Sequence, residues 1–268
     1  MEFSNQTAVV TGAGSGIGRA IALAFADGGA TVFAADLDAD AAGRTAAGRP
    51  PGGPSAARPP GGPGAARPPG GPGTIAARCV DVTSGESVRA LRDDVLRLAG
   101  PADIVVNAAG IDVTEPFLDN TEKLWEDLVA VNYLGPVRVC RAFLDPMIEA
   151  GHGGKIVNLG SDAGRVGSTG ETVYAGTKGG VIAFTKSLAR EVARHQINVN
   201  CVCPGPTDTP MLAAQPEQIR QAITRAIPFR RVAEPAEIAD AVLFFASGRA
   251  RYVTGQVLSV SGGLTMAG

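Results

Sequence analysis

Apolar residues along this chain fall into short β-branched runs separated by longer Ala-rich stretches with helical spacing. The runs are TAVVT (7–11), ATVFAAD (30–36), TIAARCVDV (74–82), ADIVVNAAG (102–110), KIVNLGS (155–161), INVNCVCPG (197–205) and GQVLSVSGG (255–263). Residues 17–28 read as a helix between the first two runs, and GGVIAFTKSLAREVA (179–193) reads as another. Strands this apolar need cover on both faces, and strands alternating with helices pair in parallel. The expected fold class is α/β: a single doubly wound Rossmann domain over 1–268, with a mostly parallel seven-stranded sheet and helices on both faces.

One segment breaks the rhythm. From Arg49 to Gly73 the chain reads RPPGGPSAA, RPPGGPGAA, RPPGGPG, a nine-residue unit repeated almost three times. Proline removes backbone donors and glycine raises the entropy cost of ordering, so this low-complexity insert is expected to be a surface loop outside the core. Loop length costs little free energy, which makes a tolerated tandem expansion the simpler reading; a docking patch built on Arg49, Arg58 and Arg67 is the alternative.

Charge and composition narrow the partners. A formal net charge of −2 offers no basic surface for a phosphate backbone, so no nucleic-acid partner is expected. No apolar run approaches the roughly 20 residues of a spanning helix, and the opening MEFSNQTAVV has no leader pattern; a cytoplasmic protein with no membrane partner is expected. Cys79, Cys140, Cys201 and Cys203 are scattered and read as reduced core residues. The two histidines, His152 and His195, lie in polar stretches, and no metal site or Ser-His-Asp triad is expected from them.

The first strand leads into Thr11-Gly12-Ala13-Gly14-Ser15-Gly16-Ile17-Gly18 and then a helix. Glycines there let the backbone approach a diphosphate, and the helix N-terminus supplies free N–H groups and partial positive charge. Gly12, Ser15, Gly16, Ile17 and Gly18 are thus candidate cofactor contacts. Asp36 closes the next strand about twenty residues on, where a carboxylate accepts from ribose hydroxyls and repels a 2′-phosphate. With no Arg or Lys in the glycine turn or directly after Asp36, the expected cofactor is NAD rather than NADP.

Tyr174 and Lys178 stand at i and i+4 on a predicted helix, one face presenting both. An ammonium beside a phenol favours the phenolate, so a lowered Tyr174 pKa is expected. Thirteen positions upstream, Ser161 ends a predicted strand, where ligand crevices form. Asn132, inside the helical pattern that begins at Trp125, is an amide that needs a partner.

The order of these motifs resembles the short-chain dehydrogenase/reductase family over nearly the whole chain except the insert. The likeness rests on the Thr-Gly-x-x-x-Gly-x-Gly opening at 11–18, Asp81-Val82, the Asn-Ala-Ala-Gly turn at 107–110, Ser161, Tyr174-x-x-x-Lys178 and Pro204-Gly205. The resemblance implies Tyr174 as the acid–base residue, Lys178 on the nicotinamide ribose, Ser161 on the substrate oxygen and Asn132 at a relay water. It implies further cofactor contacts at Asp81, Val82, Asn107, Gly110, Pro204, Gly205, Thr207 and Thr209. Where the family has a second asparagine this chain has Ala108, which loosens central-strand packing and removes no proton-transfer group. A homotetramer is also implied.

The stretches 161–168, 202–209 and 256–266 are similar to those of 2-hydroxycyclohexanecarboxyl-CoA dehydrogenases, which implies an alcohol/ketone substrate carried as an acyl-CoA. The rivals are a 3-oxoacyl-thioester reductase and a non-catalytic NAD-binding sensor or scaffold. Segment 207–230 is expected to be a lid whose Met211 and Leu212 touch substrate, with Arg165, Arg220 or Arg225 available to CoA phosphates. Limited proteolysis should cut first within 49–73, and a variant lacking 50–72 should keep fold and activity; its loss of either would show that the insert has a role.

Overall fold

The computed structural model describes residues 1–48 and 73–267, so all of the insert except Gly73 lies outside the described residues. Seven strands form one sheet: β1 (Thr7–Thr11), β2 (Thr31–Asp36), β3 (Thr74–Cys79), β4 (Ile104–Asn107), β5 (Gly154–Leu159), β6 (Ile197–Pro204) and β7 (Val257–Val260). The order is β3-β2-β1-β4-β5-β6-β7 and every pairing is parallel, where the sequence pattern predicted a mostly parallel sheet. Helices are α1 (Gly16–Asp27), α2 (Ala39–Ala47), α3 (Gly85–Ala99), α4 (Glu122–Val129), α5 (Gly135–Ala150), α6 (Ala163–Val166), α7 (Thr172–Val192), α8 (Pro210–Ala213), α9 (Glu217–Ala226) and α10 (Pro235–Ala246).

Strand residues alternate between two cores, as a period of two requires. Ala8, Val10, Val32, Ala34, Ile104, Val106, Val157 and Val202 pack on one face with Ile21 and Phe25 of α1 and Ile238 and Val242 of α10. Val9, Phe33, Ala35, Val105, Ile156 and Val199 pack on the other with Val88 of α3, Phe143 of α5 and Leu188 of α7. Each fully buried Phe or Ile contributes roughly 1.5–3 kcal/mol. Strands covered on both faces are uniformly apolar, which is why their runs stood out in the sequence.

Several boundaries differ from the sequence pattern. The third strand stops at Cys79, and Val80–Val82 follow outside the ladder. Cys79 is exposed, against the expectation of a core thiol; it ends an edge strand, while Cys140, Cys201 and Cys203 are buried. Gly73, assigned to the insert by composition, is buried and donates to the Ala26 carbonyl at 2.8 Å. A side chain there would strike the Ala30 carbonyl, so the residue is part of the entry to β3. Among the described residues no helix is long and apolar enough to cross a membrane, and no group of three His, Cys, Asp or Glu could hold a metal ion.

The strand order reverses between β1 and β4, so the loops leaving their carboxyl ends diverge and leave a crevice. Thr11 secures that junction, its Oγ1 accepting from the N–H groups of Ala108 and Ala109 at 3.2 and 3.3 Å. Below it, Asn107 Nδ2 donates to Asn158 Oδ1 at 2.8 Å, and Asn158 Nδ2 donates to Thr185 Oγ1 at 2.9 Å. This buried polar chain locks β4, β5 and α7 in register and so fixes the height of the residues above them.

Candidate active site

The sequence-predicted groups lie on turns, loops, strand ends or the first turns of α1 and α7, except Asn132, which lies in a helical segment between α4 and α5. In the turn after β1, Gly12 has φ +66°, and a Cβ on it would strike the Ala109 backbone at 2.7 Å. A Cβ on Gly18 would strike the Gly12 carbonyl at 2.1 Å. The backbone therefore folds back on itself as only glycine permits. Ser15 precedes α1 without a side-chain cap, and the first turn of α1 carries no acid. Unspent N–H groups and a positive helix end make this turn fit a diphosphate.

Asp36 is joined to that turn: its Oδ2 accepts from Gly14 N–H at 2.8 Å and its Oδ1 from Asp38 N–H at 3.0 Å. Asp38 caps α2 through Asp40 and Ala41 N–H. On the far side of the crevice, Thr209 Cγ2 would lie 3.2 Å from a Cβ on Gly16, so the loop after β6 closes against the glycine turn. Thr207 Oγ1 donates to the Gly205 carbonyl at 2.9 Å, and Pro204 is the last residue of β6, paired with Val260. A Cβ on Gly205 would collide with Ser261.

At three of the expected cofactor positions the side chain is engaged by the protein itself. Asn107 lies beneath the crevice and its side chain turns into the core, donating to Asn158 and to Cys140 Sγ at 3.3 Å. Its Oδ1 is sealed from solvent and receives no hydrogen bond among the described residues. Val82 is buried against Gly135 at the start of α5, and the Asp81 carboxylate accepts from both Thr83 N–H and Thr83 Oγ1, so an adenine there meets a pre-bonded loop.

Tyr174 and Lys178 lie on the first turns of α7, with Lys178 Nζ 5.7 Å from the centre of the Tyr174 ring. Lys178 is buried and donates to the Leu159 carbonyl at 3.0 Å. Burial lowers its pKa to about 8. The Tyr174 pKa moves opposite to the expectation: burial pushes it well above the ordinary phenol value, the Ser161 hydroxyl bond lowers it in part, and Asp112 and Glu171 raise it further. A desolvated phenol with two carboxyl groups nearby holds its proton. Ser161 Oγ also accepts from Ala163 N–H at 3.1 Å, which fixes its direction.

Asn132 sits in a one-turn π-helix, Ala130–Leu134, between α4 and α5 rather than in regular helix. Its Oδ1 accepts from Ile111 N–H at 2.9 Å and its Nδ2 donates to the Ile111 carbonyl at 2.8 Å. The side chain thus clamps the turn after β4, and a relay water at this amide would use the remaining lone pair or N–H. Gly110 is small for the same reason: a Cβ there would lie 3.1 Å from Asn132 Oδ1 and 3.4 Å from Lys178 Nζ.

Around the mouth, the expected lid is two short helices, α8 and α9, with Met211 exposed. Gln215 between them donates to Thr114 Oγ1 at 2.8 Å, which ties the segment to the loop after β4. A pocket of about 410 Å³ lies against α9, lined in part by Leu212, Arg220 and Arg225, and none of Ser161, Tyr174 and Lys178 lines it. Arg220 pairs with Glu217, whereas Arg165 is engaged with Ser259 and the Ala267 carbonyl. The sequence reading missed Asp112, Glu171 and Asp162. Asp162 is buried beside Ser161 and accepts from Ser259 Oγ. Their only signal was position, two residues after Gly110, three before Tyr174 and one after Ser161.

Comparison with known proteins gives consistent matches. A family model described as "Enoyl-(Acyl carrier protein) reductase" matches residues 69–265, and one described as "short chain dehydrogenase" matches residues 6–49. The chain is 41% identical over 267 residues to a (3R)-3-hydroxyacyl-CoA dehydrogenase of Mus musculus, covering 99% of this chain and 98% of that protein. The Homo sapiens protein of the same name is 40% identical over 260 residues, covering 97% and 95%. A 3-oxoacyl-(acyl-carrier-protein) reductase FabG of Chlamydia muridarum is 36% identical over 260 residues, covering 97% of each chain.

The clamp on Ile111 has a direct readout. In Asn132→Ala the Ile111 amide should exchange with solvent at least about tenfold faster than in the parent, measured by hydrogen exchange. Unchanged protection at Ile111 would show that the turn stands without Asn132.

Proposed function

Because the chain belongs to the short-chain dehydrogenase/reductase family, we propose that it is an NAD-dependent dehydrogenase that reversibly oxidises the β-hydroxyl of an acyl-CoA to a ketone. The observation that carries this reading is the convergence of Ser161, Tyr174 and Lys178 at one point of the sheet edge, beside a glycine turn shaped for a diphosphate.

The roles follow from the geometry. Ser161 Oγ, held by Ala163 N–H and bonded to Tyr174, accepts or donates to the substrate oxygen and aligns it with the phenol. Tyr174 Oη takes the hydroxyl proton in oxidation and returns it in reduction. Lys178, pinned to the Leu159 carbonyl, holds a positive charge behind the phenol and faces the place of a ribose. NAD, when bound, supplies the acceptor for the hydride that leaves the carbinol carbon. The Gly12–Gly18 turn would hold its diphosphate, and Thr207 and Thr209 would close over the carboxamide side.

Asp36 supports NAD over NADP. Its carboxylate, with Asp38 and Asp40 close in sequence, puts negative charge where a 2′-phosphate would add more, while a free ribose hydroxyl finds an acceptor. The named relatives support a β-hydroxyacyl or β-ketoacyl thioester. Within that class the stretches 161–168, 202–209 and 256–266 favour an alicyclic acyl-CoA such as 2-hydroxycyclohexane-1-carboxyl-CoA. The second reading, a 3-oxoacyl-thioester reductase, is favoured by the match to the Chlamydia muridarum FabG.

NADH absorbance with cyclic and linear β-hydroxyacyl-CoAs tests the proposal. We expect turnover with at least one CoA ester, a kcat/KM for NAD at least about tenfold above that for NADP, and no turnover by Tyr174→Phe with NAD affinity nearly unchanged. Near-parent kcat in Tyr174→Phe would refute the mechanism, and a preference for NADP would favour the reductase reading.

A further inference from the structure

Two carboxyl groups stand beside the reacting residues, and the mechanism above uses neither. Asp112 follows Ile111, which Asn132 grips by both main-chain groups. Glu171 immediately precedes α7, and its carbonyl accepts from Ala175 N–H at 2.7 Å, on the turn that presents Tyr174. The two loops are joined where Glu115 N–H donates to the Gly170 carbonyl at 2.9 Å, and a Cβ on Gly170 would lie 3.0 Å from Thr114. Each acid is therefore carried on backbone directly tied to a residue of the site.

Asp112 Oδ1 is sealed from solvent and receives no donor among the described residues. The Asp112 carboxyl faces the carboxyl of Glu171 within hydrogen-bonding reach, with the Val113 N–H and the Lys178 charge favouring its ionised form. Two carboxylates repel, and they hydrogen-bond only when a proton lies between them. Burial first, then the bond and charge of Glu171, raise the Asp112 pKa to about 7. The other titratable groups here are Tyr174 and Lys178 of α7 and the thiols Cys201 and Cys203 of β6. Negative charge on either acid raises Tyr174, and charge on Asp112 raises Lys178.

We propose that Asp112 and Glu171 form a proton-sharing carboxyl pair that sets the pH at which Tyr174 exchanges its proton. The proposal rests on the reading of Tyr174 as the acid–base residue, and it makes the two acids positioning residues that act through the phenol. While the pair holds one proton it carries one negative charge. When that proton leaves, a second negative charge faces the phenol and opposes phenolate. Neutralising either acid therefore lowers the pH at which Tyr174 ionises.

The test compares Asp112→Asn, Glu171→Gln and the double variant with the parent enzyme in two measurements. One is the pH profile of kcat/KM for alcohol oxidation. The other is ultraviolet difference titration of tyrosinate in the folded enzyme, with Tyr174→Phe as the subtraction; the chain has three tyrosines, which keeps the signal separable. In each single variant the Tyr174 ionisation should move down by at least about half a pH unit, raising kcat/KM about threefold on the rising limb, and it should move further in the double variant. The parent ionisation near neutral pH should vanish from the profile. Superimposable titrations in the parent and both single variants would overturn the proposal, and if one variant does not fold, the other carries the comparison. Should no alcohol be oxidised, the proposed function fails on its own, because the tyrosinate titration reads the pair without turnover.

Discussion

A cation taken out of water at the carboxyl edge of the sheet constrains everything around it. Lys178 is buried, and its ammonium donates to the Leu159 carbonyl at 3.0 Å. Burying a charge is costly unless its partners are fixed in place, so the surrounding backbone has to be rigid. β5 supplies the carbonyl at its last residue, and α7 supplies the lysine. The buried Asn107–Asn158–Thr185 chain holds β4, β5 and α7 in register. Gly110 has no side chain because Asn132 and Lys178 occupy that space, and the π-turn places Asn132 to hold Ile111. A shift in any one of these would move the ammonium relative to the phenol.

The same confinement accounts for the charge balance at Tyr174. Burial disfavours phenolate at Tyr174 and also disfavours a protonated Lys178, whose charge is favoured by Cys201, Cys203 and Asp112. Alone, the protein favours phenol over phenolate, with the Ser161 bond as the main counterweight and the Asp112 and Glu171 charges adding to the rise. The Tyr174 phenol is therefore set by groups in three segments, after β4, after β5 and before α7, the first and last of them joined by the Glu115–Gly170 bond.

Much of this was legible in the sequence because of how a parallel sheet is buried. Strands covered on both faces leave continuous apolar runs, and those runs located all seven, while their ends drifted by a few residues because loops at the sheet edge are apolar too. Glycines at Gly12 and Gly18 and the Tyr174–Lys178 spacing were readable because close approach and helix geometry demand those residues. What was not legible depended on distant parts of the chain meeting. Asp112 and Glu171 are 59 positions apart in the numbering and belong to no local pattern. The direction of the Tyr174 shift follows from burial, which i,i+4 spacing does not reveal. Cys79 looked like a core thiol because its strand is apolar, but β3 is at the edge.

Ser161, Tyr174 and Lys178 gather at the sheet edge, while α8 and α9 follow β6 and are tied to the loop after β4 through Gln215 and Thr114. The central claim is that hydride passes directly from a carbinol carbon to the nicotinamide. Its most direct test is turnover of a 3-hydroxyacyl-CoA carrying deuterium at the carbinol carbon, with the label followed by mass spectrometry. The account predicts one deuterium in the NADH formed and none released to water; deuterium in the solvent, or NADH without label, would contradict it.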